Sequence, residues 1–129
     1  MRVYIGASWY EQDAYRKAKA EIEAAGHEVT HDWTTFEGGA NNKSTGDEFQ
    51  AFLRRSADHD YVGVATADVF ILLNDWKCGG SYSELGIALA LGKCVFVVGC
   101  NKRDNIFFHL SRVWRAASLI EVLNRLRKL

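Results

Sequence analysis

The six residues Asp68-Val69-Phe70-Ile71-Leu72-Leu73 constrain the fold more than any other segment. After the aspartate every position is apolar, so a strand here buries both of its faces. Such strands occupy the middle of parallel sheets, covered by helices on each side. Residues 2–6 (Arg-Val-Tyr-Ile-Gly) form a second apolar run, closed by Gly6, Ala7 and Ser8, and residues 94–98 (Cys-Val-Phe-Val-Val) form a third. Helical patterns separate them. Residues 13–25 place Ala14, Ala18, Ile22 and Ala25 at helical spacing, with Asp13 as a predicted N-cap and Gly26 at the C-cap position. Residues 47–56 are predicted helical, residues 58–67 contain or continue a helix, and residues 81–91 form another that Gly92 ends.

Three segments complete the pattern. Residues 27–33 (His-Glu-Val-Thr-His-Asp-Trp) alternate like a half-exposed strand. Residues 34–46 hold three glycines and two asparagines without a period, and read as a loop at a pocket rim. Residues 113–116 suit a short last strand, after which Ser118 caps a helix with Leu119, Val122, Leu123 and Leu126 on one face. Strand and helix thus alternate without repeat or linker. The expectation is one domain, residues 1–129, of the α/β class. It is a three-layer α/β/α sandwich on a five-stranded parallel sheet, flavodoxin-like or Rossmann-like, in the order 2-1-3-4-5. Ligands of such folds bind at the carboxyl ends of the strands, which directs attention to the loops after Ile5, Trp33, Leu73 and Val98.

Charge and cysteine usage narrow the function classes. Lys plus Arg number 16 and Asp plus Glu number 16, so the formal charge is zero. The usual electrostatic signature of a nucleic-acid polymer binder or a polybasic membrane binder is missing, while self-association meets little repulsion. Cys78, Cys94 and Cys100 are an odd set without C-x-x-C spacing, which argues against a disulfide framework or zinc knuckle. With no long apolar run and no signal-peptide layout, the chain is expected to be soluble and cytoplasmic.

Chemistry-bearing residues cluster near the predicted strand ends. Gly79 and Gly80 allow close backbone approach to a ligand, and the helix that follows offers free N–H groups. Ser81 and Glu84 fit the S-x-x-E capping box, so Glu84 is either a helix cap or a carboxylate in a cleft. The dinucleotide pattern G-x-G-x-x-G is absent. Asp60, eight residues before Asp68, is either a solvated helix charge or a second cleft carboxylate. Asp68 itself suits local backbone bonding. His27 and His31 fall on one face of the predicted strand, at a spacing unlike a helical metal pair, so an exposed strand face is expected rather than a metal site. No cofactor is implied. Cys78 lacks a histidine nearby in sequence to activate it. Trp9 and Tyr10 stand at a predicted ligand edge, where their rings would suit a planar base or pack on the next loop.

Four segments together resemble the nucleoside 2-deoxyribosyltransferase family, which includes the 2′-deoxynucleoside 5′-monophosphate N-glycosidases. They are Val3-Tyr4-Ile5-Gly6-Ala7-Ser8-Trp9-Tyr10, Asp60 with its spacing to Asp68, Ser83-Glu84-Leu85-Gly86-Ile87-Ala88-Leu89-Ala90-Leu91-Gly92-Lys93, and Asn105-Ile106-Phe107. The resemblance covers nearly the whole chain. It implies cleavage of the N-glycosidic bond of 2′-deoxyribonucleosides, with Glu84 as the nucleophile that forms a covalent deoxyribosyl intermediate. Asp60 would be the acid/base and Tyr4 the hydrogen-bond holder of the nucleophile. Ser8, Trp9, Tyr10, Gly79, Gly80 and Ser81 would bind substrate. Asn105 and Phe107 would reach a neighbouring subunit's site, implying a homodimer or larger homo-oligomer. Transfer to another nucleobase is the leading expectation, with water as acceptor or a non-catalytic nucleotide-binding module as alternatives. Tyr10 stands where phosphate-recognising members carry an arginine, which favours free nucleosides, although Lys43, Arg54 or Arg103 could take over that contact. Cys78 stands where transferases place an aspartate.

Overall fold

The computed structural model describes residues 1–74, 79–99 and 104–129. Five strands, β1 (Arg2–Gly6), β2 (Glu28–Val29), β3 (Val69–Leu73), β4 (Cys94–Val98) and β5 (Val113–Ala116), form one sheet in the order β2-β1-β3-β4-β5. Every pairing is parallel, with Val3 opposite Val69 and Phe70 opposite Val95 at the centre. The expected α/β class and strand order are both found. Helices α1 (Gln12–Ala24), α2 (Gly46–Thr66), α3 (Gly79–Ala90) and α4 (Leu119–Leu126) connect the strands or close the chain.

Alternation along the strands makes two cores. Val3, Ile5, Val69, Ile71 and Phe96 pack with Tyr15, Ala18 and Ile22 of α1 and Val122 and Leu126 of α4. Tyr4, Phe70, Leu72, Val95 and Val97 pack with Val64 of α2 and Leu85, Ala88 and Leu89 of α3. β3 is buried at all its positions because both faces are covered, as its composition requires. Each such side chain contributes about 1.5–3 kcal/mol by leaving water.

Several local expectations need correction. α1 starts after Glu11, so Asp13 is not its cap; it lies in the first turn and pairs with Arg16 at 2.9 Å. β2 is two residues long, not seven, because the polar side chains after Val29 bond elsewhere. The Thr30 hydroxyl donates to the Gly63 carbonyl (2.7 Å), and Asp32 accepts from the Thr34 amide (2.9 Å). Residues 34–46 are not uniformly irregular: Phe36–Asn41 makes a 3₁₀ segment broken at Glu37, Gly38 and Gly39. Asp68 bonds backbone, accepting from the Arg2 amide at 2.9 Å, and so anchors the start of β1.

Candidate active site

Order 2-1-3 sends the connections after β1 and β3 to opposite sides of the sheet, leaving a crevice at their carboxyl ends. A hollow of about 590 Å³ lies there, on the α2/α3 side. Glu84, Asp60, Ser8, Trp9, Tyr10, Gly79, Gly80 and Ser81 all line it. Two acids far apart in the chain therefore face one space.

Glu84 is placed by α3 and fixed by β1. α3 begins at Gly79, two residues earlier than its sequence pattern suggests, so Ser81 and Glu84 do not form the predicted capping box. Instead the buried Ser81 hydroxyl donates to the Ala7 carbonyl at 2.7 Å and pins the start of α3 to the end of β1. Gly6 makes this approach possible, since a β-carbon there would lie 3.4 Å from Ser81 Cβ and 3.0 Å from the Phe70 ring. One turn on, Glu84 Oε2 accepts a short hydrogen bond from the Tyr4 hydroxyl, whose ring is fully buried and stacked on Phe70 at 5.8 Å. Burial pushes the Glu84 carboxyl up to about 8. The hydrogen bond from Tyr4 opposes that rise, whereas the negative charge of Asp60 adds to it. Burial, then the charges of Glu84 and Asp60, raise the Tyr4 hydroxyl far above its ordinary range, so it remains a proton donor.

Asp60 comes from α2. Its Oδ1 lies 3.1 Å from His31 Nε2, off the hydrogen-bonding axis, and neither buried atom has another partner among the described residues. Gly63, one turn further along α2, explains the close approach of this helix to β1. A β-carbon at Gly63 would come within 2.8 Å of His31 Cβ and 2.9 Å of the Tyr4 ring. The order His31, Asp60, Glu84, Tyr4 thus runs across three elements and the segment after β2.

The remaining wall is apolar. Trp33 donates from Nε1 to the Ile5 carbonyl (2.9 Å), and Trp9 stacks on it at 5.9 Å. Phe36, Phe49, Phe52 and Leu53 continue this surface. Buried Gly39 completes the rim, where a β-carbon would lie 1.8 Å from the Thr34 carbonyl oxygen.

Other residues singled out in the sequence lie away from this hollow. Asn105 and Phe107 do not line this hollow; the Asn105 side chain accepts from the Phe107 amide at 2.9 Å, and the Phe107 ring is exposed. Neither Lys43 nor Arg54 lines it, and Cys78 and Arg103 lie outside the described residues. His31 is not on an exposed strand face: it lies beyond β2, and its side chain retains only 13% exposure against Asp60. Sequence reasoning missed His31, Gly63 and the α2 wall. Their signal was the helical stripe of Phe49, Phe52, Ser56 and Asp60, which reads as a core face until its occupant is known to be a cavity.

Among the described residues no cluster of three or more His, Cys, Asp or Glu is placed to hold a metal, and no helix is long and apolar enough to cross a membrane. No family model matches the chain, and no curated protein matches it. Solved structures do. A CMP N-glycosidase from Clostridium botulinum matches over 98% of this chain and 99% of its own, with TM-score 0.62 and 20% identity. A 2-deoxyribosyltransferase from the psychrotolerant bacterium Bacillus psychrosaccharolyticus matches over 96% and 91%, with TM-score 0.72 and 17% identity. At such identities the likeness establishes the shared fold.

Proposed function

We propose that this chain is a member of the nucleoside 2-deoxyribosyltransferase family, cleaves the N-glycosidic bond of 2′-deoxyribonucleosides, and passes the sugar to another nucleobase. The observation that carries the reading is the desolvated Glu84 carboxyl, held by Tyr4 and facing the same hollow as Asp60.

Breaking the bond between C1′ and the base nitrogen builds positive charge on the sugar. Glu84 stabilises that charge and closes on C1′ as an ester, while Asp60 gives its proton to the departing base. A second base then attacks C1′, releases the Glu84 carboxylate and returns its proton to Asp60. One proton serves the two carboxyls. Burial favours Glu84 as its resting place, and the reactive arrangement has it on Asp60, with the Tyr4 hydrogen bond supporting the charge on Glu84. His31 acts through Asp60 as a positioning group. Trp9 and Trp33 offer flat faces to a base, and the start of α3 beside Ser8 suits the sugar end.

A second reading replaces the acceptor base by water and the nucleoside by a 5′-monophosphate. The fold shared with a CMP N-glycosidase favours it. In both readings Asn105 and Phe107 complete the site of a second copy of the chain, in keeping with the exposed Ile106 and Phe107 side chains. Gel filtration with light scattering tests that assembly; a monomer at assay concentration rejects it.

One chromatographic assay separates the readings. A deoxynucleoside incubated with a second free base yields a new nucleoside under transfer. Free base alone from the deoxynucleoside means water is the acceptor. Deoxyribose 5-phosphate from a deoxynucleoside monophosphate supports the second reading. Binding of these compounds without any base release, over hours, rejects enzymatic function and leaves a nucleotide-binding module.

A further inference from the structure

α2 carries two hydroxyl side chains that behave differently. Thr66, near its end, folds its hydroxyl back onto the Val62 carbonyl at 2.8 Å, the usual recourse of a hydroxyl inside a helix. Ser56 lines the hollow, is half-buried and makes no such hydrogen bond. Its neighbours on the wall are Phe52 and Leu53 on one side and Asp60 on the other. A lone hydroxyl with unused donor and acceptor capacity, set among apolar residues, is how small-molecule pockets encode orientation.

Position along the helix says what it would meet. Ser56 lies one turn from Asp60, a rise of about 6 Å, comparable with the breadth of a nucleobase. With Asp60 at the nitrogen bonded to the sugar or its immediate neighbour, Ser56 faces the far edge of the base. We propose that Ser56 selects bases bearing a polar exocyclic substituent, amino or carbonyl, on that edge, and disfavours bases with hydrogen there. The inference rests on the nucleoside reading of the hollow. A hydroxyl both donates and accepts, so it admits either substituent, which fits a site that exchanges one base for another.

The test uses substrate pairs that differ only at that edge: deoxyadenosine against purine 2′-deoxyriboside, and deoxycytidine against its 4-hydrogen counterpart. In the unaltered protein kcat/KM favours the substituted member by about tenfold in at least one pair. Ser56→Ala, a benign change inside a helix, removes the preference by lowering the substituted member about tenfold and leaving the other within about twofold. Ser56→Thr, which keeps the hydroxyl, retains most of it. Equal turnover of both members in the unaltered protein overturns the proposal, as does a Ser56→Ala effect of the same size on both. Should no base be released from any substrate, the proposed activity fails, and calorimetric titration with adenine and purine decides the inference alone. Tighter binding of adenine that Ser56→Ala abolishes supports it; equal affinity, or no binding of either, overturns it.

Discussion

Two hollows open at the carboxyl edge of the sheet, one on each face, and the larger is the chemically poorer. Between α1 and α4 lies a groove of about 1060 Å³, lined by Lys17, Glu21 and Arg115 among apolar residues. Lys17 and Arg115 are exposed, and Glu21 is the one acid in the lining. The hollow on the α2/α3 side has little more than half that volume, yet it holds two facing acids, one desolvated and held by a buried tyrosine. The difference teaches that a reactive site is marked by polar groups taken out of water and aimed at one another, rather than by room.

Substitutions that treat the hollows alike or apart can break this comparison. The largest effect belongs to Glu84→Gln, expected to lower base release about 10³-fold or more by chromatography, while Glu21→Gln in the groove leaves it within about twofold. Comparable losses from both would erase the distinction. Asp60→Asn follows, with a loss of about 10²-fold in kcat/KM. Because the negative charge of Asp60 raises the Glu84 carboxyl, its removal also lowers the pH at which Glu84 ionises, and a Glu84 titration that stays in place contradicts the coupling.

Gly63→Ala comes third. The added carbon meets His31 and the Tyr4 ring, both packed, so α2 must lift. A stability loss of about 1–3 kcal/mol in denaturant titration is expected, with a drop in activity although no acid is altered. The smallest effect concerns stability against pH. In the fold Glu84 keeps its proton up to about pH 8, whereas in the unfolded chain it ionises in the ordinary glutamate range. Below that range both states are protonated and nothing is lost; between it and pH 8 the unfolded chain alone ionises, so the fold weakens as pH rises. Glu84→Gln should therefore raise the Tm at pH 8 by about 5 °C or more relative to its effect at pH 4. Equal effects at both pH values would mean the carboxyl is not desolvated.

The central architecture was legible because β1, β3 and β4 are short apolar runs whose burial is written in their composition. The segment after β2 was not. His31, Asp32 and Trp33 continue an alternating pattern, yet each side chain is committed to a distant partner or a local turn: Asp60, the Thr34 amide and the Ile5 carbonyl. A local pattern cannot register bonds of that reach. The capping-box reading of Glu84 failed for a related reason. Gly79 and Gly80 are poor helix formers, so spacing alone starts the helix at Ser81, whereas the contact of Ser81 with Ala7 holds an earlier turn in place. Convergence of Glu84 and Asp60 on one hollow needed the strand order itself, because nothing local relates positions so far apart.

The bond from Thr30 to the Gly63 carbonyl, described with the fold, has a mechanical meaning. Glu84 is moored to the sheet through Ser81 and Tyr4, whereas Asp60 rides on a helix tethered at this separate point. The two acids of the hollow are thus mounted on different supports. Under the proposed function, a change at the tether would act on the departure of the base before it acts on the carboxyl of Glu84.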